Sequence, residues 1–305
     1  MASIMTNTSA LTALQSLAAT NKALETTQSR ISTGYRVAEA SDNSAYWSIA
    51  TTMRSDNKAN SVLQDALGLG AGKVDTAYTA MKSAIEVVDS IKEKVLLAKT
   101  AGAEDRAKIQ TEIETLQAQL KDNVAGANYA GSNLLKTTGS GNLTVMTSYN
   151  RDSSGNVTTG TIDVDYTKTR LIDSGSGSAK TGMLDKTFTV ASGNNASVLS
   201  LKVSGTGAAS TSTAFDNLLT GIEAALKDMA KGAAELGAAK SRIDMQKDFI
   251  SKLQDSIDRG VGQLVDADMN KESTRLQALQ VQQQLGIQAL SIANSNSQQI
   301  LSLFR

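Results

Sequence analysis

Apolar residues recur at alternating spacings of three and four along both halves of the chain. In the first half the pattern runs from Ile49 to Ala98, and in the second half it runs from Phe215 to Ile257 with Gln246 as its one polar member. Such spacing is typical of long helices that pack side by side in a coiled-coil-like bundle. Each half therefore predicts one long helix with an apolar stripe that it cannot bury alone.

A third, shorter helix is predicted over Glu104–Asn128, with Ile109, Ile113 and Leu120 on its apolar face. The break before it, at Thr100–Ala103, predicts a short turn that returns this helix antiparallel to the first. The fold class that we expect is mainly α: a long antiparallel helical bundle, coiled-coil-like, built from both chain ends. A small β-rich outer insertion is expected at the far end of that bundle.

The middle of the chain, about Thr137 to Thr213, is rich in Ser, Thr, Gly and Asn. Alternating apolar and polar positions inside it predict short strands. A small β-rich, solvent-facing domain is one interpretation, and a largely disordered linker is the other. The predicted strands are Asn142–Met146, Thr161–Tyr166, Thr187–Val190 and Val198–Val203.

Composition narrows the possible chemistry. The chain has 30 basic and 30 acidic residues and neither Cys nor His. Balanced charge argues against binding nucleic acid through a general positive field. The missing residue types exclude disulfides, thiolate metal sites and catalysis by His or Cys. We therefore predict no catalytic residue, no cofactor and no metal ligand, with a carboxylate-only hydrolase as the enzyme alternative.

Other features of the sequence bear on the helical fold and on where the chain resides. Pro is absent and aromatic residues make up 4% of the chain, as suits long helices. No run of apolar residues is long enough to span a membrane, so no membrane partner is expected. The first 21 residues lack the basic start and apolar run of a secretory signal. The locations that we expect are therefore the cytoplasm, or the outside of the cell after export without a cleaved leader.

Both ends of the chain lack charge. Met1–Asn21 and Leu276–Phe304 contain no charged side chain, yet Gln, Ser and Asn interrupt their apolar positions. Desolvating an amide or hydroxyl that finds a partner costs far less than desolvating a charge. The ends are thus predicted to be enclosed by other copies of the chain and mobile without them. An ordinary intramolecular two-helix hairpin is the alternative.

Two local features have structural interpretations. Trp47, the only Trp, is expected to pack at the inner end of the bundle. The Gly68–Gly72 stretch lies inside the heptad pattern, so we expect its small residues to allow close approach of helices rather than to bind phosphate.

Motifs near both ends resemble those of bacterial flagellin. They lie at Ser29–Val37 and Ala40–Ala45 in the first half, and at Asp266–Met269, Glu272–Ser273 and Ile300–Arg305 in the second. The resemblance covers roughly residues 1–136 and 214–305. Its motif positions are Arg30, Gly34, Arg36, Asp42, Asn43, Asp266, Asp268 and Arg305.

This resemblance implies a structural subunit that polymerises into a bacterial flagellar filament for motility. It implies three parts: inner-tube terminal helices at 1–43 and 264–305, a helical wall at 44–140 and 214–263, and a variable β-rich outer domain at 141–213. The residues expected at the filament core are Leu11, Leu14, Leu17, Leu24, Ile31, Leu276, Leu279, Leu290, Ile300, Leu303 and Phe304.

The resemblance also implies partners and a location. The chain would pass unfolded through the flagellar export apparatus to an extracellular filament, bound first by an export chaperone within about Gln277–Phe304. Besides copies of itself, sister flagellins, cap proteins and junction proteins would be its neighbours.

Two other functions remain open at the level of sequence: a hook–filament junction protein and a secreted adhesin with a coiled-coil stalk. For a filament subunit we expect assembly to persist after deletion of residues 141–213. An adhesin or an enzyme would lose its activity with that deletion.

Overall fold

The computed structural model describes residues 7–152, 154–175, 180–191, 194–205 and 207–303, with side chains described up to residue 295. Most of these residues are helical. The helices are α1 (Thr8–Thr33), α2 (Ser44–Thr100), α3 (Ala103–Gly126), α4 (Tyr166–Thr169), α5 (Ser212–Val265) and α6 (Met269–Leu303).

Short strands occupy the middle of the chain. They are β1 (Lys136–Thr137), β2 (Asn142–Arg151), β3 (Val157–Asp165), β4 (Ile172–Asp173), β5 (Phe188–Ala191) and β6 (Asn194–Ala196). β1 pairs with β4 in parallel, while β2–β3 and β5–β6 are antiparallel pairs. The pairing of β2 with β3 shifts register between Met146 and Ser148.

The chain divides into two compact units. One comprises Met1–Lys58 with Gln254–Arg305, and the other comprises Ala59–Leu253. We call the first the terminal unit and the second the central unit. The three-part division expected from the sequence stays a prediction.

The core of the central unit follows the predicted heptad pattern. On α2, every pattern position from Asn60 to Ala98 is buried, and on α5 those from Phe215 to Ile243 are buried as well. On α3, Ile109 and Ile113 face the same core. The mainly α, coiled-coil-like bundle with a small strand-containing insertion is thereby confirmed.

Ion pairs between the helices show that they run antiparallel. Lys92 of α2 pairs with Glu223 of α5, and Lys99 pairs with Asp216. As residue numbers rise along α2 they fall along α5. Lys94 of α2 lies 2.6 Å from Glu112 of α3, which also runs back along α2 as expected.

The middle segment lies along the bundle instead of at its far end. A Cβ added to Gly70 of α2 would lie 2.6 Å from Val145 of β2, and Gln246 of α5 donates a hydrogen bond of 2.8 Å to the Thr147 carbonyl. Gly70 lies 30 residues, or about 45 Å of helix, before the end of α2 at Thr100. The expected placement at the far end is therefore wrong, because α3 brings the chain back along α2 before the strands begin.

The segment Val198–Val203 is not a strand, which corrects one sequence prediction. Its apolar residues Val198, Leu201 and Val203 are buried in the core of the central unit. The Gln117 side chain donates hydrogen bonds to the carbonyls of Val198 and Leu201, at 3.0 and 3.2 Å. A helix side chain satisfies this backbone, so it needs no strand partner.

Candidate assembly surface of the terminal helices

Helices α1 and α6 pack against each other in antiparallel directions. Near one end, Arg30 lies 3.3 Å from the Glu272 carboxylate. Further along, Gln283 donates a hydrogen bond of 2.8 Å to the Asn21 side chain. A Cβ on Gly286 would lie 3.0 Å from Leu17 Cδ1, so this glycine allows the two helices to approach closely.

This helix pair has almost no apolar core of its own. Among the described side chains of α1 and α6, the buried ones are Thr20, Thr27, Glu272 and Leu279. Only Leu279 of these is a large aliphatic residue. Since burial of apolar area is the main favourable contribution to folding, the pair, whose other apolar contacts are only half-buried, gains limited stability from its internal contacts.

Large apolar side chains instead point outward from both helices. Leu11 and Leu14 of α1 are more than half exposed, at 59% and 55%. Four residues of α6 are exposed to a similar extent. We call these six residues the outward apolar face: Leu11, Leu14, Val281, Leu285, Ile287 and Ile292.

The residues expected at the filament core divide into four groups: exposed, buried, half-buried and without described side chains. Leu11 and Leu14 belong to the outward apolar face, and Leu279 is buried. Ile300 and Leu303 lie in α6 beyond the described side chains, and Phe304 lies outside the described residues. The remaining members are half-buried: Leu17, Leu24, Ile31, Leu276 and Leu290.

The contact face of α1 differs from its expected apolar seam. The three-four spacing in the sequence runs through Leu14, Leu17, Asn21, Leu24, Gln28 and Ile31. Asn21 and Gln28 are nevertheless exposed, whereas Thr20 and Thr27 are buried. The Thr20 hydroxyl donates a hydrogen bond of 2.9 Å to the Ser16 carbonyl, so it can be buried at little cost.

Sequence reasoning missed Val281, Leu285, Ile287 and Ile292. The three-four spacing of α6 runs through Leu276, Leu279, Gln283, Gly286 and Leu290, and a search along that spacing keeps only one face of the helix. The signal that could have found them is the charge-free run itself, in which apolar residues occur all around the helix.

Two connectors join the helices of the terminal unit through backbone hydrogen bonds. Gly34 ends α1 in the left-handed region, at φ +75°, and its carbonyl accepts the Ala267 N–H at 2.8 Å. The backbone N–H groups of Arg36 and Val37 donate to the Val265 carbonyl. The α1–α2 connector is thus tied to the α5–α6 connector.

Other motif positions shape the same connectors. The Asp42 carboxylate accepts the N–H groups of Ala38 and Glu39, and Asn43 accepts the Tyr46 N–H at the start of α2. The Asp268 side chain accepts the N–H groups of Asn270 and Lys271, which makes it the N-cap of α6.

The last motif positions complete this picture. The Arg36 guanidinium donates to the Leu264 carbonyl at 2.8 Å, and Asp266 bridges to Tyr35 through the backbone. Arg30 pairs with Glu272, as described above. Arg305 lies outside the described residues. These side chains hold the backbone of the connectors in place by capping helices and closing turns.

No helix in the described ranges is both long and apolar enough to cross a membrane. Within the same ranges, no three acidic side chains gather in a way that could hold a metal ion.

Comparison with known proteins identifies the family. The model of the bacterial flagellin N-terminal helical region matches residues 4–140, and that of the C-terminal helical region matches residues 219–304. Flagellin of Brucella melitensis biotype 1 is 56% identical over 307 aligned positions, which cover 100% of both chains. Flagellin C of Rhizobium meliloti strain 1021 is 47% identical over 329 positions, again with 100% of both chains covered.

Among solved structures, the crystal structure of Bacillus cereus flagellin has a TM-score of 0.38 and 17% identity, covering 62% of this chain and 88% of that one. The assignment depends on the sequence matches alone. The chain belongs to the bacterial flagellin family and is a structural subunit of the extracellular flagellar filament.

Proposed function

We propose that copies of this chain assemble through α1 and α6, and that the outward apolar face is the surface that neighbouring copies enclose. The observation that supports this most directly is the exposure of large aliphatic side chains, such as Leu285 at 59%, in the stretches of α1 and α6 that contain no charged residue. A lone soluble helix pair would normally place charged residues at those positions.

The energetics favour assembly over the isolated pair. Complete burial of an exposed aliphatic side chain is worth roughly 1.5–3 kcal/mol, and a neighbour that covers one of these side chains, a little more than half exposed, contributes about half of that. The amides and hydroxyls between them lose water at small cost when they find partners across the interface. The half-buried residues Leu17, Leu24, Ile31, Leu276 and Leu290 then hold α1 against α6 within one subunit, while the outward face holds subunits together.

A polymer built this way is a helical, non-closing assembly of one chain. In our proposal the paired α1 and α6 helices of all subunits form its inner tube, and the bundle of the central unit forms the wall around that tube. No catalytic residue, cofactor or metal is assigned. Sister flagellins are further candidates for co-assembly.

The remaining partners follow from the exposed apolar residues of α6 and from membership of the flagellin family. Before assembly the outward apolar residues of α6 would expose the chain to aggregation, so a chaperone covering Gln277–Phe304 during export meets a physical need. As further partners we propose the flagellar export apparatus, the cap protein and the junction protein, on the basis of membership of the flagellin family.

Substitution of Leu285 by Asp tests the proposed surface. In seeded polymerisation of purified monomer, Leu285→Asp should raise the critical concentration by more than about a hundredfold, because it places an unpaired charge in an enclosed apolar contact. Sedimentation of filaments measures the effect.

The matched control is Val157→Asp. Val157 lies on β3 and is 46% exposed, but it lies outside the terminal helices. This control should polymerise with nearly the wild-type critical concentration. Normal polymerisation of Leu285→Asp would overturn the assignment of the interface to this face.

A further inference from the structure

The first turns of α2 expose large rings in a position that the sequence did not lead us to expect. Tyr46 is 41% exposed, Trp47 is 39% exposed and Ile49 is 49% exposed. Trp47 therefore does not pack fully into the bundle, contrary to the sequence expectation. We call Tyr46, Trp47 and Ile49 the aromatic start of α2.

Local contacts hold the backbone of the aromatic start in place. The Asn43 side chain accepts the Tyr46 N–H at 3.1 Å, and the Asn43 carbonyl accepts the Trp47 N–H at 2.9 Å. One position beyond Ile49, Ala50 is buried in a small core with Val261. One face of the helix is thus anchored through Ala50, while the aromatic start lies on its exposed faces.

The aromatic start also lies in a stretch without charge. No charged side chain occurs between Asn43 and Met53. By contrast, the exposed pair Leu96 and Leu97 near the other end of α2 has Lys94 and Lys99 close in sequence. A surface of rings, hydroxyls and small residues loses water at much lower cost than one with ammonium groups.

We infer that the aromatic start of α2 is a second contact surface, occupied in the filament by another copy of this chain. This inference rests on the proposed function. The aromatic start belongs to the same compact unit as α1 and α6. Subunits that pack through those helices surround one another with further copies, so the macromolecule available to cover the rings is the chain itself.

The chemistry of the side chains suits such a contact. Tyr and Trp bury about 150–250 Å² each when enclosed, and their polar atoms can still bond to a neighbour. They are enriched in the few residues that dominate interface energies. A contact through Tyr46 and Trp47 would add to the aliphatic contacts of the terminal helices.

Fluorescence gives a direct test because Trp47 is the only Trp in the chain. Polymerisation of the wild-type protein should shift its emission to shorter wavelength and reduce its quenching by acrylamide several-fold. Unchanged emission and quenching in the filament would overturn the inference.

Substitutions show whether the contact contributes to assembly. Trp47→Ser should raise the critical concentration for seeded polymerisation by about tenfold or more. Trp47→Phe, which keeps a ring, should restore most of the loss. Circular dichroism of the monomer checks that each variant folds, and Val157→Ser serves as the matched exposed control, with no change expected.

The two proposals fail in different ways. If Leu285→Asp blocks polymerisation while Trp47→Ser polymerises as wild type, the aromatic start is not a subunit contact and the proposed function stands. If both variants polymerise normally, both surfaces are wrongly assigned. If the emission of Trp47 shifts only on adding a different purified partner, such as the cap protein, the inference of a second copy is overturned.

Discussion

At the scale of single residues, the family motifs of this flagellin act through backbone geometry. Gly34 supplies a left-handed conformation, and Asp42, Asn43 and Asp268 accept N–H groups that a turn or a helix start leaves unpaired. Their positions could be identified from the sequence through the resemblance to the flagellin motifs. Their exact partners could not, since these depend on how the two connectors meet.

Removal of the α6 cap should weaken the terminal unit. Asp268→Ala leaves the N–H groups of Asn270 and Lys271 without their side-chain acceptor, at a typical cost of about 1 kcal/mol. We expect a severalfold increase in the critical concentration for polymerisation. Asp268→Asn keeps the acceptor and should behave nearly as wild type; equal effects of both variants would contradict the capping role.

Asp173 makes stability depend on pH in acid. Hydrogen bonds from the Gly175 N–H and the Thr181 hydroxyl lower the pKa of Asp173 to about 2, from an ordinary value of 3.8. Because the folded pKa lies below the unfolded one, ionised Asp173 stabilises the fold above the unfolded value. That contribution is lost as the pH falls towards about 2.

Two substitutions should separate the stabilising effect of Asp173 from the opposite effect of Asp185. Asp173→Asn should lower the free energy of unfolding at pH 7 and flatten its decline in acid. Burial raises the pKa of Asp185, so its ionised form costs stability, and Asp185→Asn should act in the opposite direction. Urea unfolding of the monomer at pH 7 and pH 3 measures both, with the exposed Asp163→Asn as control. A decline in acid that Asp173→Asn leaves unchanged would refute the assignment.

At the scale of elements, helices were easier to predict than the segments between them. The buried faces of α2 and α5 could be predicted because a heptad repeat sustained over many turns specifies which side of a helix is buried. The strands were harder, since β2 packs on a glycine of α2 and nothing near Val145 in sequence signals that contact. The same long-range packing explains why Val198–Val203, an alternating stretch, is held by the Gln117 side chain instead of a strand.

Two glycines of α2 should respond oppositely to the same substitution. Nothing lies within 4 Å of a Cβ added to Gly68, so Gly68→Ala should stabilise the helix by about 0.5–1 kcal/mol. A Cβ on Gly70 would lie 2.6 Å from Val145 Cγ1. Since a valine side chain is stiff, β2 would have to move, and Gly70→Ala should destabilise by about 1–3 kcal/mol. Urea unfolding that gave both variants the same sign would contradict the packing of β2 on α2.

At the scale of the whole molecule, the middle segment contributes side chains to the core of the central unit. Leu143, Val145, Val164, Leu184 and Leu201 are buried in one core with the helices of the central unit. This changes the consequence expected from the sequence for deletion of residues 141–213. Removing that segment would uncover apolar surface on α2, α3 and α5.

We therefore expect the deletion of 141–213 to destabilise the central unit and reduce assembly, even though the terminal helices remain. A short polar insertion after Gly155, at the exposed tip of the β2–β3 hairpin, should leave both stability and assembly intact. Thermal unfolding of monomers and seeded polymerisation distinguish the two variants. A deletion that melted and polymerised as the wild type would show that the middle segment contributes nothing to the core.

The terminal helices, finally, bury so little by themselves that neighbouring subunits must supply their stability. Amide hydrogen exchange of the same protein as monomer and as filament measures this directly. Residues 8–33 and 269–295 should exchange rapidly in the monomer and become strongly protected in the filament, while the parts of α2 and α5 that lie in the central unit, residues 59–100 and 212–253, stay protected in both. Equal, slow exchange of α1 and α6 in the monomer and in the filament would contradict the account.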